Sequence, residues 1–270
     1  MSRTDAPVLG IDLGTSTCLA CAWADGREVF ITPDLAYPQP DARRLVYPSA
    51  LMPSAFCFAD GEVLVGERAR AKLADPQYAQ DVKVSIKRDM KREGSLLVAS
   101  GGREFRPSEI AGAFVDVLVR AAEAQLGLAA RSIEKAVVTV PVYFGSTELA
   151  ATEAACLEHS SLKKVVFIDE PVAAAYSLRL HEQPGEHRAL VVDLGGGTFD
   201  VTLLRAGRDV ADGGFEVWGR DGDSELGGYE WDRTIAAEAA VKALPDAPDA
   251  LIDVLINGDR SGRAHYGHTN

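Results

Sequence analysis

The chain has 270 residues, of which 47% are apolar and 25% charged, and its formal net charge is −12. These values lie in the ordinary range for folded globular proteins and exclude an intrinsically disordered chain. The acidic balance argues against a nucleic-acid partner, because phosphate backbones repel a net negative charge.

Membrane and disulfide-stabilised classes are also disfavoured. No apolar run reaches the roughly 20 residues of a membrane span, and no apolar signal core follows the polar start MSRTDAPV, so we expect a cytoplasmic protein without a membrane partner. The four scattered cysteines (Cys18, Cys21, Cys57 and Cys156) predict reduced, mostly buried thiols. Cys18 and Cys21 form a CxxC, but residues three apart in a strand point to opposite faces, which favours packing.

The first predicted element is a meander of short strands in VLGIDLGTSTCLACAWADGREVF. Its two apolar runs are separated by a turn at residues 14–16, and a second turn follows at residues 25–26. Pro-rich turns and the basic stretch VKVSIKRDMKREG come next. This change of texture predicts a smaller inserted subdomain, which we place at residues 37–106.

Helices and strands then alternate. Residues 109–128 place apolar side chains at helical spacing after the start signal PSE. The segment KAVVTVPVYF predicts a buried strand that ends at Pro141, and an Ala-rich helix follows at about residues 146–159. The short strand VVFID then leads at Glu170 into the helix PVAAAYSLRL.

The segment ALVVDLGGGTFDVTLLRAG repeats the pattern of the N-terminus, with an apolar strand, a glycine turn and a second apolar strand. The two hairpins, GIDLGTST and VVDLGGGT, place Asp12 and Asp193 identically, each at the end of an apolar strand. This match indicates an internal duplication. Residues 245–270 are polar and aperiodic, and predict a tail.

The duplicated turns predict a phosphate site. A glycine bend between strands directs several backbone N–H groups into one concavity, and Thr15 and Thr198 add hydroxyl donors. Asp12 and Asp193 beside these turns suit a hydrated Mg²⁺ that bridges nucleotide phosphates. Glu170 lies between the two copies at a strand-to-helix boundary, where side chains commonly face a cleft. One such turn is usually structural, whereas two with an intervening acid indicate a nucleotide site.

Seven segments occur in the order and near the spacing of one protein family. They are VLGIDLGTSTC, VGERAR, VSIKRDM, VVTVPVYF, FIDEPVAAAYS, VVDLGGGTFDVTLL and DGDSELGGYEWDR. With them the chain resembles the DnaK-type 70-kDa heat-shock chaperones of the actin and sugar-kinase ATPase superfamily, from Val8 to about Trp231. The resemblance implies an α/β actin-like ATPase fold with duplicated ribonuclease-H-like lobes built on mixed sheets, the second lobe being incomplete.

The resemblance also implies a division into two lobes. Lobe I covers residues 1–186, with a core at 1–36 and 107–186 around the inserted subdomain 37–106. The partial lobe II covers residues 187–270, with a core at 187–219, the start of a helical subdomain at 220–244 and the polar tail at 245–270.

Individual site roles follow from the same resemblance. Asp12 and Asp193 organise the Mg²⁺ shell through water. The residues placed against the phosphates of ATP or ADP are Gly14, Thr15, Ser16, Gly195, Gly196, Gly197 and Thr198. The residues implied in catalysis are Lys87, Glu170, Asp193 and Thr198. Lys87 would stabilise charge on the transferring phosphoryl group and Glu170 would position the attacking water. Asp200 is a second acid near the metal, and Pro141 is the switch proline.

The function implied is that of an ATP-binding and ATP-hydrolysing domain of a chaperone that supports ATP-dependent protein folding, in a truncated form. A J-domain co-chaperone and a nucleotide exchange factor are the implied partners besides the nucleotide. The chain departs from the family at Leu149, where the family has an arginine eight residues after the switch proline. The family also continues beyond these motifs with an adenosine-binding motif and a peptide-binding β-sandwich. We therefore expect weak ATP binding and exposed apolar strand edges around Val191, Val201 and Leu203.

Three other functions stay open. A non-catalytic remnant or regulatory module would keep the fold but bind nucleotide poorly. An actin-like filament protein shares the Asp and Gly hairpins, although VSIKRDM, the insertion and GGGTFD favour the chaperone. A sugar kinase would need a catalytic aspartate aimed at a sugar hydroxyl, and no segment for it is recognisable.

Overall fold

The computed structural model describes residues 7–36, 50–99, 102–210, 214–223 and 225–243. The predicted polar tail at 245–270 and the start of the predicted insertion, residues 37–49, lie outside the described residues. Within the described ranges, no helix combines the length and the apolar character needed to cross a bilayer.

Strands and helices alternate along the chain. In chain order the strands are β1 (Leu9–Leu13), β2 (Thr17–Ala24), β3 (Arg27–Phe30), β4 (Met52–Pro53), β5 (Ala55–Ala59), β6 (Glu62–Val65), β7 (Lys83–Val84), β8 (Leu97–Val98), β9 (Glu104–Phe105), β10 (Lys135–Val140), β11 (Lys164–Asp169), β12 (His187–Leu194), β13 (Phe199–Ala206) and β14 (Phe215–Asp223). The helices are α1 (Glu67–Arg70), α2 (Pro107–Gln125), α3 (Ser146–Leu157), α4 (Glu170–Ser177) and α5 (Gly228–Ala243). Short 3₁₀ turns lie at Pro33–Ala36, Ala71–Ala74, Ala79–Asp81, Ile86–Asp89 and Leu180–Glu182.

A mixed sheet, which we call the N-terminal sheet, has the strand order β11-β10-β1-β2-β3, and β4 pairs with β2. β1 runs antiparallel to β2 but parallel to β10, which in turn runs parallel to β11. The parallel register pairs Asp12 at the end of β1 with Thr139 near the end of β10. Parallel neighbours joined through helices, such as β10 and β11 through α3, are typical of α/β proteins. The predicted mixed α/β class is confirmed.

Helix α2 covers one face of the N-terminal sheet. Its buried side chains recur at the predicted helical spacing and include Ile110, Phe114, Val117, Leu118 and Ala121. Burying an aliphatic or aromatic side chain of this size stabilises the folded state by about 2 kcal/mol. The start of the helix is capped as the PSE signal predicts, because the Arg106 N–H donates to the Glu109 carboxylate at 2.8 Å. The packing of α2 therefore stabilises the sheet whose strand β1 carries Asp12.

The segment between β4 and α2 carries a three-stranded sheet of order β6-β5-β7 and a small core around Cys57 and Tyr78. Its 3₁₀ turn at Ile86–Asp89 follows Ser85, whose left-handed backbone has φ 58°. Ile86 is buried in the larger core under α2. This anchored turn fixes where the next residue, Lys87, can reach.

Strands β12, β13 and β14 form a separate antiparallel sheet, the C-terminal sheet, in which Asp193 pairs with Asp200. One face of this sheet packs against α4, where Ala175, Leu204 and Phe215 are buried together. This β12–β13 hairpin repeats the β1–β2 hairpin of the N-terminal sheet, as the sequence duplication predicts.

The opposite face of the C-terminal sheet is exposed and apolar. Leu190, Val192 and Leu203 are 63%, 58% and 37% exposed. We expected exposed apolar edges around Val191, Val201 and Leu203, and Leu203 is exposed as predicted. The prediction was wrong for Val191, because successive residues of a strand point to opposite faces and its side chain lies on the covered one. Val191 packs against the small core under α4, and Val201 is half-buried. The exposed apolar surface is therefore the face of the sheet that carries Leu190, Val192 and Leu203.

Two neighbouring valines of β12 test this orientation. Val192→Lys should change the free energy of unfolding by less than about 0.5 kcal/mol, because the side chain at this position is already in solvent. It should also reduce self-association, because it places a charge on the exposed apolar face. Val191→Lys should cost about 2 kcal/mol, because the new charge would enter the core under α4. Urea unfolding followed by circular dichroism, with light scattering on the same samples, measures both. Equal losses of stability in the two variants would contradict the assigned faces.

Candidate functional site

A cleft of about 420 Å³ opens between the turns of the two hairpins. Its lining residues are Asp12, Gly14, Thr15, Ser16, Thr17, Lys87, Thr139, Glu170, Ala173, Ala174, Asp193, Gly195, Gly196 and Thr198. The structure therefore brings most of the predicted site residues into one place. Gly197 and Pro141 are outside this lining: Gly197 packs behind the turn against Thr15, and Pro141 follows the end of β10.

The first turn, at residues 14–16, is held by Ser54. The Ser54 hydroxyl donates to the Gly14 carbonyl at 2.7 Å, and the Ser54 N–H donates to the Ser16 carbonyl at 2.9 Å. A Cβ on Gly14 would lie 2.3 Å from the Thr17 carbonyl oxygen, so the turn is too tight for a side chain there. Burial raises the pKa of the neighbouring Cys18 to about 12, and its thiol stays protonated against Ser54.

The second turn, at residues 195–198, is held by the first residues of α5. The Gly228 N–H donates to the Gly195 carbonyl at 3.0 Å, and the Tyr229 N–H donates to the Gly196 carbonyl at 2.8 Å. Within the turn, the Gly195 N–H donates to the Thr198 carbonyl at 2.9 Å. These bonds use the otherwise unpaired N–H groups of a helix start, so α5 and the turn fix each other.

The two turns touch each other. A Cβ on Gly196 would lie 1.8 Å from the Ser16 hydroxyl oxygen, and one on Gly197 would lie 2.4 Å from Cγ2 of Thr15. Side chains at these two glycines would force the hairpins apart. The glycines therefore allow the two turns to approach each other closely. They also leave the backbone N–H groups of the turn uncovered by side chains.

The carboxylates of the cleft are oriented by hydroxyl groups. Thr139 donates to the Asp12 carboxylate at 2.6 Å, across the parallel pair of β1 and β10. The Thr198 hydroxyl hydrogen-bonds to Asp200, whose pKa is raised by burial and by the charge of Asp193. Among the described residues, no three His, Cys, Asp or Glu side chains approach closely enough to hold a metal directly. Asp12 and Asp193 both line the cleft, and their carboxylate oxygens would suit an ion such as Mg²⁺ that keeps most of its waters.

Lys87 and Glu170 form an ion pair at the base of the cleft, with side chains only 11% and 16% exposed. Lys87 comes from the anchored 3₁₀ turn, and Glu170 is the first residue of α4, directly after β11. Burial raises the pKa of Glu170, the charge of Lys87 opposes this shift, and Asp12 and Asp193 add to it. The cleft thus holds a largely buried carboxylate next to a cation.

The segment after Pro141 contacts the C-terminal sheet. Arg220 on β14 donates to the Val142 carbonyl at 2.6 Å. Tyr143 hydrogen-bonds to Thr198, and burial raises the pKa of this tyrosine to about 12, so it stays neutral. The structure therefore connects the predicted switch proline to the second turn through its next two residues.

Sequence reasoning missed several residues of this site: Ser54, Arg88, Thr139, Tyr143 and Arg220. A usable signal existed for Thr139 alone, because Asp12 and Thr139 end two apolar runs that parallel pairing would align. The contacts of Ser54 and Arg220 join segments distant in sequence, and no local pattern marks them.

A family model described as "Hsp70 protein" matches residues 71–244, more than half of the chain. The chain belongs to the Hsp70 family. The match covers Lys87, Glu170 and the second turn, and the family binds nucleotide, in agreement with the cleft described above.

Two curated relatives extend the similarity of this Hsp70 chain beyond the residues that the family model matches. The chaperone protein DnaK of Mycoplasmoides gallisepticum is 34% identical over 251 residues, which cover 92% of this chain and 38% of that protein. The chaperone protein DnaK of Mycoplasmopsis agalactiae is 34% identical over 228 residues, which cover 84% of this chain and 34% of that protein. The chain thus spans about a third of the length of the curated relatives it matches.

Two adjacent glycines at the start of α5 test how tightly the second turn is packed. A Cβ on Gly227 would lie 2.6 Å from the Gly197 backbone nitrogen, whereas one on Gly228 would find its nearest neighbour at 3.7 Å. Gly227→Ala should therefore lower the free energy of unfolding by about 2 kcal/mol, and Gly228→Ala by less than about 0.5 kcal/mol. Thermal unfolding of both variants measures this difference. Equal stabilities would show that α5 does not press on the turn.

Proposed function

We propose that this chain binds ATP and ADP through their phosphates together with Mg²⁺, and hydrolyses ATP to ADP and phosphate as part of an Hsp70-type chaperone. The observation that carries the proposal is the meeting of two glycine turns, each beside an aspartate, over a cleft whose base holds Lys87 and Glu170. The family to which the chain belongs supports nucleotide as the ligand.

The residues of the cleft suit phosphoryl transfer to water, which asks the protein mainly for positioning and charge neutralisation. Backbone N–H groups of the two turns would hold phosphate oxygens, and Thr198 would add a hydroxyl. Asp12 and Asp193 would hold Mg²⁺ through water. When bound, the ion would supply positive charge that neutralises the phosphates.

Lys87 and Glu170 would have different roles in the reaction. The Lys87 ammonium would neutralise charge at the phosphoryl group, because it is largely shielded from solvent and is held in place by its ion pair with Glu170. The Glu170 carboxylate would orient the attacking water and accept its proton. Its raised pKa makes it a better proton acceptor near neutral pH than an ordinary glutamate.

Further assignments stay predictions. They are the division into lobes at residue 186, the switch role of Pro141, and the J-domain co-chaperone and nucleotide exchange factor as partners. The hydrogen bond of Tyr143 with Thr198 supports a link between Pro141 and the second turn, although Leu149 replaces the arginine expected in this role.

Calorimetric titration with ATP, with and without Mg²⁺, tests the binding. The wild type should bind Mg-ATP weakly, above micromolar dissociation constants. Asp193→Asn should lose the Mg²⁺ dependence, because one of the two carboxylates that face the ion is neutral. Lys87→Ala should keep the Mg²⁺ dependence and bind about tenfold more weakly, since it loses one charged contact to phosphate.

Three results would contradict all or part of this proposal. If the wild type bound ATP equally well with and without Mg²⁺, the proposed metal role of the aspartates would be wrong. If it did not bind ATP at all, the assignment of nucleotide as the ligand would be wrong. Binding without any release of phosphate would support the non-catalytic regulatory module instead.

The pH dependence of hydrolysis tests Glu170. Its carboxylate must be ionised to accept a proton, so the rate should fall as the pH drops through its raised pKa, above the value of about 4.3 for a free glutamate. Glu170→Gln should be slow and should show no such acid limb. Phosphate release measured from pH 4 to pH 9, about the stable range of most proteins, gives the profile. An acid limb that persists in Glu170→Gln would assign the titration to another group.

A further inference from the structure

Arg88 lies beside Lys87 on the same 3₁₀ turn but reaches a different set of partners. Its guanidinium donates to the Gly197 carbonyl in the second turn. It also makes two parallel hydrogen bonds with the Glu230 carboxylate on α5, at 2.7 and 2.9 Å. One side chain therefore joins the segment before α2, the second turn and α5.

The contact between Arg88 and Glu230 is of the strong kind. A planar guanidinium that faces a carboxylate at two points gives a geometrically specific, charge-assisted pair. Both side chains are only 25% exposed, so solvent screening is reduced. Burial opposes ionisation of Glu230, but the hydrogen bonds and charge of Arg88 outweigh it and lower its pKa.

The bond to Gly197 fixes the direction of a peptide unit. The carbonyl of Gly197 and the N–H of Thr198 belong to one planar trans peptide, so they point in opposite directions. When Arg88 holds the carbonyl, the Thr198 N–H is directed away from Arg88. Thr198 lines the cleft, and its N–H is one of the donors that the proposed function assigns to phosphate.

Among the described residues, Arg88 is the only charged side chain that hydrogen-bonds to Gly197. Gly197 is enclosed by Thr15 on the first turn and by Gly227 before α5, and neither contact orients its carbonyl. The carbonyls of Gly195 and Gly196 are held by α5 itself. Arg88 therefore completes a set in which each of these three carbonyls has a defined donor.

We propose that Arg88 is a positioning residue that orients the second phosphate-binding turn, and that Glu230 holds Arg88 in the required place. The inference rests on the proposed function for the ligand, but its first consequence, an ordered turn, exists without ligand. It also makes the grip on phosphate depend on the seating of α5, because Glu230 and the donors to Gly195 and Gly196 all lie in the first turn of that helix.

Amide hydrogen exchange of the chain without nucleotide tests the ordering. In Arg88→Ala and in Glu230→Gln, peptides that cover residues 194–199 should exchange about tenfold faster than in wild type, since a charge-assisted hydrogen bond is lost. Arg88→Lys should not restore protection, because an ammonium lacks the planar fork that reaches both partners. Arg92→Ala removes an exposed charge from the same segment and should exchange like wild type in these peptides.

Titration of the same variants with Mg-ATP tests the consequence for the ligand. Arg88→Ala and Glu230→Gln should bind about tenfold more weakly than wild type and keep their Mg²⁺ dependence, whereas Arg92→Ala should bind as wild type. Glu230→Gln preserves the shape of the side chain and serves as the second variant if Arg88→Ala fails to fold.

The outcomes separate the two proposals. No binding by the wild type would overturn the proposed function, and the exchange data would still decide whether Arg88 orders the turn. Unchanged exchange at residues 194–199 in both variants would overturn the positioning role. Faster exchange with unchanged Mg-ATP affinity would also overturn the positioning role, since Arg88 would then stabilise the turn without affecting how tightly the turn binds phosphate.

Discussion

The contact between the two glycine turns is the constraint on which the rest of the site depends. Gly196 and Gly197 approach Ser16 and Thr15 so closely that side chains at either glycine would separate the hairpins. This approach places Asp12 and Asp193 in one cleft. Without it, each hairpin would be an ordinary strand pair with a tight turn.

The supports of the two turns differ although the hairpins are duplicated. Ser54, which directly follows β4 of the N-terminal sheet, fixes the first turn through hydrogen bonds to Gly14 and Ser16. The second turn is held from outside its sheet, by the start of α5 and by Arg88. The second turn therefore depends on the position of α5 and of the segment that carries Lys87 and Arg88, and we expect it to respond more than the first turn to movements of either.

The sequence predicted the elements and the pairing of the aspartates because these depend on local patterns. Alternating and helical apolar spacing placed β10, α2 and α3 to within a few residues, and the repeated Asp-Leu-Gly located both turns. The sequence was a poorer guide to which face of a strand is buried and to contacts between residues far apart in the chain. Val191 was assigned to an exposed edge, but its side chain packs under α4. Arg88 looked like one cation in a basic stretch, and its partner Glu230 lies far along the chain.

The central claim is that both turns bind the phosphates of one nucleotide. A titration of the ¹⁵N-labelled chain with Mg-ATP, followed by the backbone amide resonances of residues 14–16 and 195–198, tests it most directly. We expect the amides of both turns to shift together along one binding curve with a common dissociation constant. Shifts confined to one turn, or two curves with different constants, would contradict a shared phosphate site.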